Sequence, residues 1–140
     1  MSRIFWDTNL FIYLIEGSGE TADRVAQLRR RMLERGDDLF TSALTLGEVL
    51  VKPSEHSDED LVRTYADAIS RSAQVVAFDS PAAQLYARIR VDRSIRPPDA
   101  IQLACAGRVQ ADLFVTNDDR LSRKTAPGIE FITSLERAPL

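Results

Sequence analysis

Short apolar runs recur along the chain, and three of them stop abruptly on polar side chains. Ile4-Phe5-Trp6 ends on Asp7, Leu39-Phe40 on Thr41-Ser42, and Leu113-Phe114-Val115 on Thr116, with Asn117-Asp118-Asp119 just behind. Nearly continuous apolar runs of this length mark strands buried on both faces, the habit of parallel sheets. Gln74 to Phe78 and Ile129 to Thr133 are two further strand-like segments. The run at the start of the chain is expected to be the central strand.

Between these segments the period lengthens. Leu10 to Ile15 predicts a short buried helix with Thr8 or Asn9 near its cap and Gly17 at its end. Thr21 to Arg35 sets Ala22, Val25, Ala26, Met32 and Leu33 on one helical face before Gly36. Ala43 to Val51 predicts a helix that stops before Pro53 and carries Glu48. Ser57-Asp58-Glu59-Asp60 caps a helix that turns Leu61, Tyr65, Ala68 and Ile69 inward. Asp79-Ser80-Pro81 opens another, running to about Arg93 with Leu85, Tyr86 and Ile89 inward. Pro97-Pro98-Asp99 starts a helix through Ala106 closed by Gly107, and Asp118 to Arg123 is a helical turn. Strands alternating with helices imply an α/β fold whose parallel sheet is joined by right-handed crossovers.

Composition narrows the chemistry. A chain of 140 residues, 44% hydrophobic and 28% charged, suits one soluble domain spanning 1–140. No apolar run near the start approaches the roughly 20 residues of a membrane span, and Asp7 interrupts any leader-like region, so a cytoplasmic location is expected. Cys105 is the only cysteine and His56 the only histidine. That excludes an intramolecular disulfide, a cysteine-built zinc site and chemistry needing a histidine pair, and it disfavours a Ser-His-Asp triad. Cys105, between alanines on a helix, is expected in the core, as is Trp6. The net charge of −3 conceals its distribution: with four carboxylates set aside in one site, the remainder carries −3 + 4 = +1. An acidic chain therefore does not exclude a nucleic-acid substrate.

Four carboxylates stand at element boundaries that face one edge in this layout: Asp7, Glu48, Asp99 and Asp118. Each alone has a plain explanation as a helix cap, a solvated helix residue or a partner of a helix N-terminus. Gathered together they repel, which is costly unless a cation neutralises them. An all-oxygen site selects a hard divalent ion, Mg²⁺ or Mn²⁺, whose bound water becomes a nucleophile and whose charge steadies a phosphodiester under in-line attack. Arg88, Arg90, Arg93 and Arg96, near Asp99, form either a solvated face or a rail for RNA phosphates. An alternative is a phosphotransfer or phosphatase-type α/β enzyme with Asp7 as covalent nucleophile. Against it, the residue two beyond Asp7 is Asn9 rather than a second acid, and Glu48 is left without a role. A binding module with vestigial acids is a third possibility.

Taken together, Asp7-Thr8-Asn9, Thr45-Leu46-Gly47-Glu48, Pro97-Pro98-Asp99-Ala100 and Thr116-Asn117-Asp118 resemble the motifs of the PIN-domain ribonucleases, and within them the VapC toxins of toxin–antitoxin pairs. The resemblance implies a three-layer α/β/α fold with a parallel sheet of four to five strands. It implies Mg²⁺ held by Asp7, Glu48, Asp99 and Asp118, with Thr8 and Thr116 orienting that shell and Asp119 a possible substitute for Asp118. It further implies an RNA substrate, a homodimer, and a VapB-like antitoxin docking over the acidic cleft with an arginine among the carboxylates. One departure is visible: Val91 to Arg96 lacks the glycine often found before the third acid.

Overall fold

The computed structural model describes residues 1–139. Its elements run β1 (Arg3–Trp6), α1 (Thr8–Glu16), α2 (Glu20–Arg35), β2 (Asp38–Ser42), α3 (Ala43–Glu55), α4 (Glu59–Ser72), β3 (Gln74–Val76), α5 (Ser80–Ile89), α6 (Pro97–Arg108), β4 (Leu113–Thr116), a 3₁₀ turn at Leu121–Arg123 and β5 (Phe131–Ser134). All five strands are parallel in the order β3-β2-β1-β4-β5, so the expected sheet is borne out with β1 at its centre. The chain winds outward from β1 toward β3 on one side and toward β5 on the other. The switch between β1 and β4 is where open α/β sheets leave a crevice beyond their strand ends.

Alternation along the strands builds two cores. Ile4, Trp6, Leu39, Leu113 and Val115 pack on one face against Leu10, Phe11, Val25, Leu28, Met32 and Ile69 of α1, α2 and α4. Phe5, Phe40 and Phe114 point the other way, onto Ala82 and Ile89 of α5 and Ala100, Leu103 and Ala104 of α6. Phe5 stacks on Phe114 with ring centroids 5.3 Å apart, and Trp6 lies at the same separation from Phe11, tilted. Trp6 and Cys105 are fully buried, as their settings predicted. Helices on both faces of a mainly apolar sheet make the three-layer α/β/α fold.

The departures from expectation are local. The first helix is capped by Asp7 itself, whose carboxylate accepts the Thr8 amide. In α2, Leu28 takes the inward place expected of Leu33, which is exposed; Val25, Leu28 and Met32 lie three and four residues apart on one face, while Leu33 is rotated away. α3 continues through Pro53 to Glu55, because a buried proline this close to the helix end forfeits a single backbone bond. His56 is then its C-cap rather than a loop residue. α5 ends at Ile89, well short of Arg93. The Asp92 carboxylate takes the Ser94 amide and hydroxyl, a local turn that competes with the helix.

Gly107 does not close α6 but lies within it. A Cβ there would meet the Pro127 carbonyl oxygen at 2.5 Å, so the glycine permits a close crossing, and Gln110, at φ 53°, makes the left-handed turn. β3 stops at Val76 because its partner β2 gives way to α3 after Ser42. β5 begins at Phe131, opposite the first residue of β4. The Val91–Arg96 stretch contains no residue of positive φ, so it closes without the missing glycine, its Ile95 buried and the Ile95 carbonyl held by Arg90 at 2.7 Å.

Candidate active site

Asp7 ends the central strand at the switch point, and both its carboxylate oxygens are engaged. One accepts the Thr8 amide at 2.9 Å and the other the Thr116 hydroxyl at 2.8 Å. Thr116, the last residue of the neighbouring strand β4, also accepts the Asp118 amide at 3.1 Å, so one hydroxyl links two of the acids. Thr8 plays the matching part on the other side, donating to Glu48 at 2.7 Å. Asp7, Glu48 and Asp118 are thus tied together by the two threonines, each placed by a strand end or the first residue of a helix.

Asp99 joins them from the first turn of α6. It shares a counter-ion with Asp118: the Arg96 guanidinium stands 3.7 Å from Asp99 and 3.8 Å from Asp118. Asp118 further accepts the Arg120 and Leu121 amides at 2.9 and 3.3 Å, which fixes the turn after β4. Asp119 is exposed beside it, and its carbonyl accepts the Ser122 hydroxyl. Of the two neighbouring acids, the first is therefore the one turned to the cleft.

Electrostatics record the crowding. Burial pushes the Asp7 carboxyl up from 3.8 to about 6, the threonine donors pull it down, and the nearby Asp99 and Glu48 charges raise it again. Asp99 is also raised, first by burial, with Arg96 opposing and Asp118 and Glu48 adding to the rise. Asp7 and Asp99 are costly to ionise chiefly because they are withdrawn from water, and the neighbouring acids add to that cost. Among the described residues, no three acidic, histidine or cysteine side chains form a ready cage for an ion in this arrangement. The donors themselves fit a hard divalent cation: they are all oxygen and mutually repelling, and two of them share one arginine as counter-ion.

The arginines divide. Arg96 enters the cluster, whereas Arg90 is turned to the Ile95 carbonyl; Arg88 and Arg93 are exposed. Arg120, which the sequence did not single out, acts on Asp99 electrostatically and reaches the Ser94 carbonyl at 3.4 Å. Gln102 also escaped notice. It is 2% exposed, one turn after Asp99 on α6, and donates to Thr8 and Thr45 at 2.8 Å each. Its signal was present in the sequence as a lone amide within the apolar run from Ala100 to Ala106.

The sequence profile of the PIN domain family matches residues 4–127. This chain belongs to the PIN domain family. The resemblance drawn from the four acid motifs is thereby borne out at the level of the family. No curated protein matches the chain in sequence. Its fold is similar to VapBC2 from Rickettsia felis, solved bound to a DNA fragment from their promoter, with TM-score 0.74 and 16% identity over 94% of this chain and 97% of that one. DNA-bound VapBC from Salmonella typhimurium gives TM-score 0.74 and 21% identity over 96% and 99%. A toxin–antitoxin complex from Klebsiella pneumoniae gives TM-score 0.64 and 23% identity over 91% and 95%. No helix among the described residues is long and apolar enough to cross a membrane.

Proposed function

We propose that this PIN-domain protein is a Mg²⁺- or Mn²⁺-dependent endoribonuclease and the VapC-type toxin of a type II toxin–antitoxin pair, acting in the cytoplasm. The observation that carries the proposal is the junction of Asp7, Glu48 and Asp118 through Thr8 and Thr116, with Asp99 joined through Arg96. Asp7, Glu48, Asp99 and Asp118 would hold the ion. When bound, it would supply a water acidic enough to attack phosphorus and a charge to steady the phosphate as the P–O bond to the leaving sugar breaks. Thr116 and Thr8 aim Asp7 and Glu48. Arg96, Arg88 and Arg93 would meet the flanking phosphates as the substrate arrives.

The tie of Glu48 to Asp7 through Thr8 speaks against the phosphotransfer alternative, which leaves Glu48 without a role. Lys124 is paired with Asp92 and Ser94 rather than directed at Asp7. A VapB-like antitoxin is the expected partner, by analogy with the similarly folded toxin–antitoxin complexes, and a homodimer the expected assembly. The test is cleavage of total RNA by the purified protein, freed of any partner. Cutting with Mg²⁺ or Mn²⁺ that stops on chelation supports the proposal; no cutting with either ion contradicts it.

A further inference from the structure

Behind Glu48 lies a closed set of hydrogen bonds whose direction can be worked out. Ser42 donates to the Gln102 carbonyl oxygen at 2.6 Å and accepts the Thr45 amide at 3.2 Å. The Gln102 amide nitrogen donates to Thr8 and to Thr45, the two hydroxyls lie 3.0 Å apart, and Thr8 reaches Glu48 at 2.7 Å. Three hydroxyls, one amide NH₂ and one backbone N–H supply a proton for every one of these contacts, with none left over. Thr8 donates to the Glu48 carboxylate. Thr8 then accepts from both Thr45 and Gln102, and Thr45 spends its proton on Thr8.

Turning the Gln102 amide over would reverse this order. Its oxygen would face Thr8 and Thr45, and the two hydroxyl protons would have to serve four contacts, the one to Glu48 among them. The negative end of the chain therefore selects the amide orientation, and the amide in turn directs the Thr8 hydroxyl outward. A buried network in which every member is satisfied has one arrangement, which is what a fixed carboxylate requires.

We propose that Gln102 is a positioning residue that orients the Thr8 hydroxyl toward Glu48 and thereby holds that carboxylate in place for a divalent cation. The proposal rests on the metal-nuclease reading of the site for its purpose, though not for its geometry. Gln102 touches no substrate and acts only through Thr8.

The test compares the parent protein with Gln102→Met, Thr8→Val and the double variant, titrating Mg²⁺ and Mn²⁺ by calorimetry and solving the metal-free Gln102→Met structure. Either single change is expected to weaken cation binding about tenfold, the scale of lost outer-shell support. The double variant is expected to bind no more weakly than Thr8→Val, because the two residues act in series. In metal-free Gln102→Met, Glu48 is expected to leave Thr8. Unchanged affinity with the Thr8–Glu48 contact intact would overturn the proposal and leave Gln102 as core hydrogen bonding alone; additive losses would overturn it too. If the parent protein binds no divalent cation, the metal-nuclease reading falls, while the Thr8–Glu48 contact in Gln102→Met still decides the role of Gln102. Should Gln102→Met fail to fold, Ser42→Ala takes its place. It frees the amide to turn over, and a smaller loss in the same direction is expected; no loss of affinity and no change at Glu48 would overturn the proposal.

Discussion

The two halves of the acidic site are built by different physics. On the inner side, Asp7 and Glu48 are fixed by hydrogen bonds of 2.7 to 2.9 Å from Thr8 and Thr116, backed by the buried Gln102. On the outer side, Asp99 shares with Asp118 an exposed arginine at 3.7 and 3.8 Å, distances at which an ion pair exchanges easily with water. The inner half is preorganised at the cost of burying the Asp7 charge, while Glu48, itself exposed, is held by the buried Thr8. Asp118 is also held by the Arg120 and Leu121 amides, so Asp99 is the acid freest to rearrange when a cation or a phosphate arrives.

The sharpest way to break this comparison is Asp7→Asn. Cleavage is expected to fall by at least about 100-fold in an RNA-cutting assay, because the remaining acids cannot replace a carboxylate on the central strand. The same change should stabilise the metal-free protein at neutral pH. Folding raises the Asp7 carboxyl from 3.8 to about 6, so its contribution to stability is complete below pH 3.8 and is lost as pH rises through about 6. Denaturant unfolding at pH 4 and pH 8 should show the parent losing up to about 3 kcal/mol relative to Asp7→Asn, on the scale of 1.4 kcal/mol per pH unit. Equal pH profiles would mean that Asp7 is not the desolvated charge described above.

On the outer side the sign reverses. Arg96→Ala removes a competing positive charge and is expected to tighten Mg²⁺ binding about three- to tenfold at low salt, with the gain fading at high salt. Weaker binding at every salt concentration would make Arg96 part of the cation site's support rather than its competitor. The smallest effect should come from Asp119→Asn, since that side chain is exposed and Asp118 is the acid turned to the cleft. A change in cleavage under about twofold is expected, against a large loss for Asp118→Asn.

What the sequence disclosed follows the same division. The strands were legible because a two-face burial leaves uninterrupted apolar letters, and Asp7 stood out by ending the first of them. The parallel sheet and its central strand followed from strand–helix alternation. Element ends were less legible wherever a tertiary contact decided them: Pro53 inside α3, the Asp92 turn that stops α5, and the Pro127 carbonyl against Gly107. Asp7, Asp99 and Asp118 could be found because each sits near an element boundary, and Glu48, which lies within α3, through the motif Thr45-Leu46-Gly47-Glu48. Of their supports, Thr8 and Thr116 came with the family resemblance, whereas Gln102 could not be found, because it matters through hydroxyls on Thr8 and Thr45, 94 and 57 residues away. Arg96 read as one of a row of cations, and only the fold shows it between two carboxylates.

The central claim is that the four acids serve one cation site, and crystals grown with Mn²⁺ test it most directly through the metal's anomalous signal. A peak at about 2 Å from an Asp7 oxygen and from at least two of Glu48, Asp99 and Asp118, with Arg96 displaced, is the predicted result. A protein saturated with Mn²⁺ that shows no peak at this strand edge, or one touching none of these carboxylates, would contradict the account.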